Sequence, residues 1–479
     1  MSATADEIAA QVQKHYDALP AKRKPTVRAN GLREWVPMAG IVAEGNDHKL
    51  YCLALATGMK CLPESKIPQA QGNVLHDWHA EVLAIRAFNR FVLDECKALL
   101  QQRPSEFLRW RTSGEIAQGA EGGWNAQPFT WRNEFRLHMY CSEAPCGDAS
   151  MELIMASQED ATPWDVPPLP ISTANTTSSP FSSSSKPTLP GRAFFSHLGV
   201  VRRKPARADA PPTLSKSCSD KLALRQCTSL LSSPVALLVD PRHVYLQTLV
   251  LPASRYSEDA CRRAFAAEGR MGGLSLGRTG DARIEGGGER EERGGYGFRP
   301  FAVTTATSEF TFSQRAVSLA VAANNHCKSN DDEGNGQPKA AAAAANIAPS
   351  NIATAWTRSG LEETSLGGTL QGRKQFDPRG ASFASRRKIW AVAAEVAGLM
   401  EHVHQVQHAQ QDGDGEGGEH KQPIHFLAAA QVQGALNAKT YGEMKDSILL
   451  GPRKRIKDEA RSKALPGWIR NVGDESFTL

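Results

Sequence analysis

Residues 79–100 read HAEVLAIRAFNRFVLDECKALL, and this stretch decides the fold class of the chain. Its apolar side chains recur near a period of about 3.6 residues, at Leu83, Ala87, Phe88, Phe91, Val92 and Leu99. Neither glycine nor proline interrupts the pattern, which predicts one long helix with an apolar face. His79 and Glu81 stand at its start, so an imidazole and a carboxylate lie at the N-terminus of the predicted helix.

The neighbouring segments predict alternating strands and helices. Residues 51–57 and 135–142 have the composition and alternation of strands. Residues 6–19 and 151–156 are predicted helices, the second following the turn at Pro145-Cys146-Gly147. The order strand, helix, strand, helix predicts an α/β layer.

Five polar or low-complexity segments interrupt this pattern, at residues 112–128, 160–191, 278–296, 328–348 and 407–421. Such compositions bury too little apolar surface to offset the entropy lost on ordering, so we predict disordered insertions. We therefore expect one domain over residues 1–479, with its core from about residue 30, and not a string of separate domains.

Composition and charge limit the class of protein and its compartment but do not determine its function. A net charge of +5 and a pI near 8.7 are compatible with a nucleic-acid partner but do not require one. Nine cysteines, an odd number without dense spacing, indicate a reducing compartment. No run approaches the roughly 20 apolar residues of a membrane span, and no secretory leader is visible. We expect a soluble intracellular protein, in the nucleus or the cytoplasm.

Two motifs indicate a zinc site. His79-Ala80-Glu81 is followed downstream by Pro145-Cys146, each at the start of a predicted helix, as in the zinc deaminase signature. Zinc with three protein ligands keeps one position for water and lowers the pKa of that water to about 7. Glu81 lies about 200° around the helix from His79, which favours a role in proton transfer over metal ligation.

The third metal ligand is less directly indicated. Compact nucleoside deaminases carry a second cysteine three residues after the first, but that position is Ala149 here. Cys218, which precedes a helix-like run over 222–231, is the candidate. Cys227 lies inside that run and is better interpreted as a buried thiol, while Cys141 at a strand end stays an alternative.

The motifs HAEV (79–82), APCGDAS (144–150) and SCSDK (217–221) resemble the three zinc motifs of the adenosine deaminases that act on RNA. Further segments resemble the branch that acts on tRNA, namely NG (30–31), EWVP (34–37), GMKC (58–61), LHD (75–77), RRKP (202–205), PSN (349–351), LQGRKQ (370–375) and SRRK (385–388). The resemblance implies a cytidine-deaminase-like three-layer core within a large ADAR-type domain. It also implies zinc held by His79, Cys146 and Cys218, with Glu81 as the catalytic acid and base.

The implied activity is deamination of adenosine to inosine in tRNA, at the adenosine 3′ of the anticodon in alanine tRNA. The implied partner is tRNA, with no membrane and no obligate protein partner. An mRNA-editing enzyme is disfavoured, because fewer than about 35 residues precede the first motif, too few for a double-stranded-RNA-binding module. Ala149 argues against a free-nucleoside deaminase, and the intact Glu81 argues against an inactive RNA-binding protein.

The resemblance also implies inositol hexakisphosphate in a basic core cavity, with candidate ligands Arg86, Lys221, Arg225, Tyr441, Lys445 and Trp468. Lys221 has the strongest basis, because it lies three residues after Cys218 and would join metal and cofactor through one network. Ile85-Arg86 replaces the paired arginines of editing relatives and Arg225 is offset by one, so ordinary structural roles stay open for the others.

Basic clusters suggest where RNA binds. The residues expected to contact RNA are Lys60, Arg203, Lys204, Asn351, Arg373 and Lys374. Residues 202–204, 373–374 and 386–388 flank motifs of the family and are expected at the RNA surface, whereas the role of the cluster at 453–455 is left open.

Overall fold

We describe a computed structural model of the chain, which covers residues 3–117, 124–157, 189–190, 197–204, 210–274, 294–329, 346–411 and 424–479. Most of four predicted insertions lies outside these residues, whereas only residues 118–123 of the segment 112–128 do. Parts of these insertions that the structure describes are ordered, in contrast to the prediction. Ile116, Asn125 and Gln127 are buried, and residues 407–411 continue a helix.

The described residues form fifteen strands. They are β1 Arg33–Trp35, β2 Met38–Glu44, β3 Leu50–Thr57, β4 Leu108–Trp110, β5 Phe129–Trp131, β6 Arg136–Cys141, β7 Leu189–Pro190, β8 Arg202–Arg203, β9 Val239–Asp240, β10 Leu246–Pro252, β11 Ala302–Ala306, β12 Ile347–Pro349, β13 Ile352–Thr357, β14 Glu362–Leu366 and β15 Thr369–Leu370. Eight of them form the central sheet, in the order β11-β10-β6-β2-β3-β13-β14-β15. β6, β10 and β11 are parallel, while β2 is antiparallel to β3 and to β6.

Twelve α-helices occur in the same residues. They are α1 Ala5–Asp17, α2 Ala80–Leu100, α3 Ser113–Ala117, α4 Met151–Ala156, α5 Cys218–Thr228, α6 Ser233–Ala236, α7 Glu258–Phe265, α8 Gln314–Ser329, α9 Arg386–Gln411, α10 Ile424–Leu436, α11 Tyr441–Asp446 and α12 Gly451–Lys463. Helices cover both faces of the central sheet, which gives a mixed α/β fold. None of these helices is long and apolar enough to cross a membrane.

The two faces of the sheet bury separate apolar clusters. α2 packs with Ile41 and Leu53 in the larger cluster, and α1 packs with Val42 and Leu55 in the smaller one. Ile41 and Val42 are successive residues and point to opposite faces. The register shift between β2 and β3, which skips Leu53, places Leu53 and Leu55 on different faces. Gly40 allows α1 to approach closely, since a Cβ there would lie 2.5 Å from Cγ1 of Val12.

Several predicted elements are confirmed within one or two residues, including the long helix, which is observed as α2. The predicted run over 222–231 is displaced. α5 already begins at Cys218, with Ser217 as its N-cap, and ends at Thr228 because Ser229 adopts a positive φ of 57°. Cys218 therefore lies in the first turn of a helix and not ahead of it.

Four strands end at the same rim of the central sheet. Ala39 of β2 pairs with both Ala56 of β3 and Cys141 of β6, so these two strands run in the same direction and end side by side. β10 and β11 are parallel to β6 and end next to it. We call the segments that follow these four ends, residues 58–61, 142–146, 253–255 and 307–309, the carboxyl rim. Ligands of open α/β sheets bind at such an edge.

Candidate metal and polyanion sites

The start of α2 is fixed to the carboxyl rim by the backbone. Ala80 N donates to Gly58 O over 2.9 Å, and Trp78 N donates to Lys60 O over 3.0 Å. His79 is the N-cap residue, with extended backbone and no side-chain capping bond, so its ring is free for other contacts. Gly58 has a φ of +140°, and a Cβ there would lie 2.2 Å from Trp78 O, so the close approach requires glycine.

Asp77 connects His79 with two lysines. Its Oδ1 lies 2.9 Å from His79 Nδ1, while its Oδ2 accepts from Lys204 Nζ over 2.9 Å and also from Lys221. Burial alone would raise the pKa of Asp77, but Lys204, Lys221 and His79 hold it well below its usual value. Asp77 is therefore a buried carboxylate that fixes the imidazole.

Cys146 and Cys218 come together from two different loops. Cys218 N donates to Cys146 Sγ over 3.3 Å, and Lys204 Nζ lies 3.2 Å from Cys218 Sγ. A hydrogen bond from the Cys218 thiol lowers the pKa of Cys146, whereas burial raises the pKa of Cys218.

The turn at residues 145–149 depends on the start of α5. Ser219 Oγ donates to Pro145 O over 2.9 Å and accepts from Ala149 N over 3.0 Å. Gly147 has a φ of +101°, and a Cβ there would lie 2.3 Å from Ser217 Oγ. Glycine at this position is what lets the two cysteine loops approach each other.

Glu81 lies in the first turn of α2 and is only 6% exposed. Burial raises the pKa of this carboxyl, and the thiolate of Cys146 raises it further. A carboxyl whose pKa is raised toward neutrality can both accept and donate a proton, as general acid–base catalysis requires. The geometry therefore suits the predicted role of Glu81.

The donor set fits zinc. Imidazole nitrogen and two cysteine sulfurs are ligands that zinc prefers, and three of them leave one position open. Within the described residues, the trio whose ligand atoms all lie within 4.8 Å of one another is Cys61, Asp77 and His79. His79 Nδ1 lies 3.7 Å from Cys61 Sγ. Among the described residues, the predicted trio His79, Cys146 and Cys218 does not meet the 4.8 Å limit. Cys61 was not predicted as a ligand, although it lies in a motif of the family.

The predicted polyanion ligands gather in one region behind the metal site. Arg86 and Arg225 line it, and burial lowers the pKa of Arg86 to about 10 and that of Arg225 to about 9. Lys445 Nζ lies 5.7 Å from the ring centre of Tyr441. Burial also lowers the pKa of Lys445, and the charge of Arg386 lowers it further. The depressed pKa values indicate cations without sufficient counter-charge.

Further cations, which sequence reasoning missed, complete this cluster. They are Lys216, Arg386, Arg453, Lys457 and Arg461. Arg453, Lys457 and Arg461 recur every four residues on α12 and so share one helix face. That spacing was the available signal, but the run Arg453-Lys454-Arg455 was considered only as a basic cluster whose role was left open.

Trp468 lies beside the same cluster. Its ring centre is 5.3 Å from Lys216 Nζ and 5.4 Å from the guanidinium carbon of Arg461, distances typical of cation–π contacts. Lys216 Nζ also donates to Ile469 O and to Asn471 Oδ1, so the segment after α12 closes over the cations. We call Arg86, Arg225, Lys445, Arg453 and Lys457 the uncompensated cations, because no carboxylate of the described residues lies within 4.0 Å of them.

The two sites are joined by buried polar contacts. Lys221, which borders the cation cluster, contacts Asp77; Asp77 contacts Lys204; and Lys204 contacts Cys218. Ser215 Oγ reinforces this chain, because it donates to Asp77 Oδ2 over 2.5 Å. Lys221 thus lies between Asp77 and the cation cluster.

The residues predicted to contact RNA separate into two groups. Lys60 contacts Asn351 at the protein surface, and Arg373 and Lys374 are exposed. Arg203 is half-buried.

Two parts of that RNA prediction need correction. Lys204 is buried between Asp77 and Cys218, so its ammonium cannot reach an RNA backbone. In the cluster at 386–388, Arg386 points inward, with its Nη1 3.2 Å from Asp474 Oδ2.

Comparison with known proteins identifies the chain. The model of the adenosine-deaminase (editase) domain matches residues 54–275, which include Glu81, Cys146 and Cys218. A tRNA-specific adenosine deaminase 1 from Schizosaccharomyces pombe is 37% identical over 64% of this chain and 69% of its own length. The protein of the same name from Saccharomyces cerevisiae is 33% identical over 52% of this chain and 58% of its length. A mouse double-stranded RNA-specific editase B2 is 33% identical over 23% of this chain and 14% of its length. The chain therefore belongs to the adenosine-deaminase (editase) family, in the branch of the proteins named tRNA-specific adenosine deaminase 1.

Proposed function

We propose that the chain deaminates adenosine to inosine in tRNA by hydrolysis, at the adenosine 3′ of the anticodon in alanine tRNA. The observation that carries this proposal is that Cys218 N donates to Cys146 Sγ, while the charge of His79 acts on both Cys146 and Glu81. The names of the relatives support tRNA as the substrate. The position within the tRNA rests on the motifs of the sequence.

The architecture supports a cytidine-deaminase-like core. Strands β3, β2, β6, β10 and β11 are adjacent in that order, with β2 antiparallel to its neighbours and the last three parallel. α2 and α5, which carry His79 and Cys218, begin at one end of this sheet. We infer that this five-stranded unit is the catalytic core of one deaminase domain, and that the other elements extend it.

In the proposed chemistry, His79, Cys146 and Cys218 would hold zinc. When bound, zinc would make water acidic enough to act as a nucleophile near neutral pH. Water adds to C6 of the adenine, and Glu81 accepts the proton that the water loses. Glu81 then donates this proton to the ring nitrogen N1, and later transfers a second proton from the new hydroxyl to the departing amine. The products are inosine and ammonia.

The substrate geometry fits an anticodon loop. The target base has to leave its stack before it can reach a recessed carboxylate, and this costs least in single-stranded RNA. Glu81, which is 6% exposed, requires such access. A base within a regular duplex would need additional energy for unpairing.

The tRNA assignment predicts a position-specific product. Purified protein incubated with an alanine tRNA transcript should produce inosine 3′ of the anticodon, read as a guanosine in the complementary DNA. Free adenosine, a perfect RNA duplex and the same transcript with guanosine at that position are the controls. Conversion of free adenosine at a comparable kcat/KM would contradict a tRNA enzyme, and conversion of the duplex alone would indicate an editing enzyme.

The metal assignment predicts which cysteines retain zinc. We expect about one zinc per purified molecule, and Cys218→Ala should release it because one of three protein ligands is lost. Cys227→Ala is the matched control, since this thiol is buried in the same helix but points elsewhere. Cys61→Ala should also keep the metal. If elemental analysis finds full zinc in Cys218→Ala, Cys218 is not a ligand. If it finds no zinc in Cys61→Ala, Cys61 is a ligand.

A further inference from the structure

A charged pair at the carboxyl rim has no role in the chemistry described above. Glu143 follows β6 and precedes Cys146 by three residues, and Arg255 follows β10. Arg255 Nε lies 2.8 Å from Glu143 Oε2, and both side chains are about four-fifths buried, at 23% and 17% exposure. An arginine and a glutamate therefore lie at the ends of two neighbouring strands, beside the candidate metal site.

The carboxylate holds the arginine in place. Glu143 Oε1 accepts from the backbone N of Gln314, the first residue of α8, over 3.1 Å. Burial raises the pKa of Glu143, the charge of Arg255 and the hydrogen bond from Gln314 lower it, and the charges of Glu309 and Glu81 raise it. A carboxylate fixed in this way fixes the guanidinium that it faces.

The guanidinium keeps its hydrogen-bonding capacity. Its Nε is buried without a hydrogen-bond partner, because the contact with Glu143 is an ion pair that lacks hydrogen-bond geometry. Within the described part of the chain, none of the nitrogens of Arg255 donates a hydrogen bond. An arginine offers five N–H donors in a planar fork, which matches the oxygens of a phosphate.

Arg255 and Lys60 lie on opposite sides of the site. The strand order places β3, which leads to Lys60, three positions from β10, which leads to Arg255. With neighbouring strands about 4.8 Å apart, the two strand ends are separated by about 14 Å. Cys146, which follows β6, lies between them. RNA that follows the carboxyl rim would meet a cation on each side of the reacting base.

We propose that Arg255, positioned by Glu143, binds a backbone phosphate of the substrate RNA on the β10 side of the target adenosine. This inference rests on the proposed function, and it assigns to Lys60 the phosphate on the other side. Phosphate contacts fix the register of a nucleic acid without reading its sequence. Arg255 thus positions the target nucleotide and does not select the base.

The test measures tRNA binding by the inactive Glu81→Gln protein as a function of salt concentration. Arg255→Ala should weaken binding about tenfold, as expected for a lost charge-assisted contact. The slope of log affinity against log salt should become shallower by about 0.7 to 0.9, the value for one phosphate contact. Lys49→Ala is the matched control, since it removes one exposed cation from the turn between β2 and β3, at the opposite end of the sheet. Lys49→Ala should leave both values unchanged.

A second variant covers the possibility that Arg255→Ala unfolds, since it leaves Glu143 buried and unpaired. The double substitution Glu143→Gln with Arg255→Gln removes both charges and keeps the net charge of the protein. It should show the same loss of affinity and the same shallower slope. When Glu81 is intact, these Arg255 variants should raise KM about tenfold while kcat stays within about twofold. A contact that is equally strong in the ground state and the transition state affects binding only.

The outcomes separate the two proposals. If the wild-type protein forms no inosine in tRNA, the proposed function fails. If it forms inosine, but folded Arg255→Ala and the double variant bind tRNA like Lys49→Ala, the phosphate role of Arg255 is overturned. Loss of kcat without a change in affinity would also overturn it.

Discussion

Glu81→Gln should abolish deamination while the protein keeps its fold and its zinc. The amide has nearly the shape of the carboxylate, but it cannot accept the proton of the attacking water. General acid–base catalysis contributes about 10² to 10⁴ in rate, and here one carboxylate performs several transfers. We therefore expect at least the upper end of that range. Single-turnover measurement of inosine formation is the assay, because it isolates the chemical step.

The control has to separate catalysis from the loss of a buried carboxylate. Glu44→Gln makes the same chemical change at a fully buried position of β2, at the end of the strand away from the carboxyl rim. Its turnover per folded molecule should stay close to that of the wild type. If Glu81→Gln retains more than about a tenth of wild-type turnover, Glu81 has no part in proton transfer. Loss of zinc in Glu81→Gln would instead show that this residue supports the metal.

The sequence predicted the catalytic end of α2 because local pattern and chemistry coincide there. The apolar period of residues 79–100 determines where the helix runs, and the helix places His79 and Glu81 at its start. Cys218 was found by its motif, although the helix boundary was displaced. Helix periodicity is strongest in the middle of a helix and weakest at its ends, where a cap such as Ser217 decides the boundary.

The burial of charged side chains could not be predicted from the sequence. Lys204 is in a basic run that is typical of an exposed face, yet tertiary contacts bury it between Asp77 and Cys218. Arg453 and Lys457 are in a strongly polar helix; their four-residue spacing marks a shared face, but it does not show that this face is internal. A buried cation needs partners from distant segments, and those partners become visible only when the chain is folded.

The uncompensated cations predict a second large effect, on the folding of the protein. The five uncompensated cations come from α2, α5, α11 and α12 and converge on one region. A buried charge without a partner costs several kcal/mol, even after the protein relaxes. Arg453 is buried and the other four are half-buried, so water screens their mutual repulsion only in part. This repulsion lowers a net stability that is about 5 to 15 kcal/mol in a typical domain. We propose that a polyanion, with inositol hexakisphosphate as the candidate, neutralises it and is enclosed during folding.

Expression in a host that cannot make inositol hexakisphosphate should therefore yield insoluble, inactive protein. Co-expression of the kinases that synthesise this compound should restore soluble protein that carries it in about one copy per molecule. Equal yield and activity in both hosts would show that solvent neutralises these cations. In that case the cations would simply be hydrated.

Substitutions within α12 give a sharper test, because their effect should reverse with the host. Lys457→Met removes one uncompensated charge, so it should raise the soluble yield where the anion is absent and weaken anion retention where it is present. Lys454→Met is the matched control on the same helix, since Lys454 is 48% exposed and pairs with Asp446. Lys454→Met should change neither the soluble yield nor the retention of the anion. If both substitutions behave alike, the position of the charge is irrelevant.

The pH dependence of stability provides a final readout, on soluble Lys457→Met protein from the host that lacks the anion. Burial lowers the pKa of Lys216 to about 7 and that of Arg225 to about 9, below the values of these groups in the unfolded chain. Between these pH values the unfolded state binds more protons than the folded state, so the free energy of unfolding should rise as pH rises. A bound polyanion favours the charged forms and should remove this slope. A slope that is the same with and without inositol hexakisphosphate, in urea titrations from pH 7 to 9, would place the anion elsewhere on the protein.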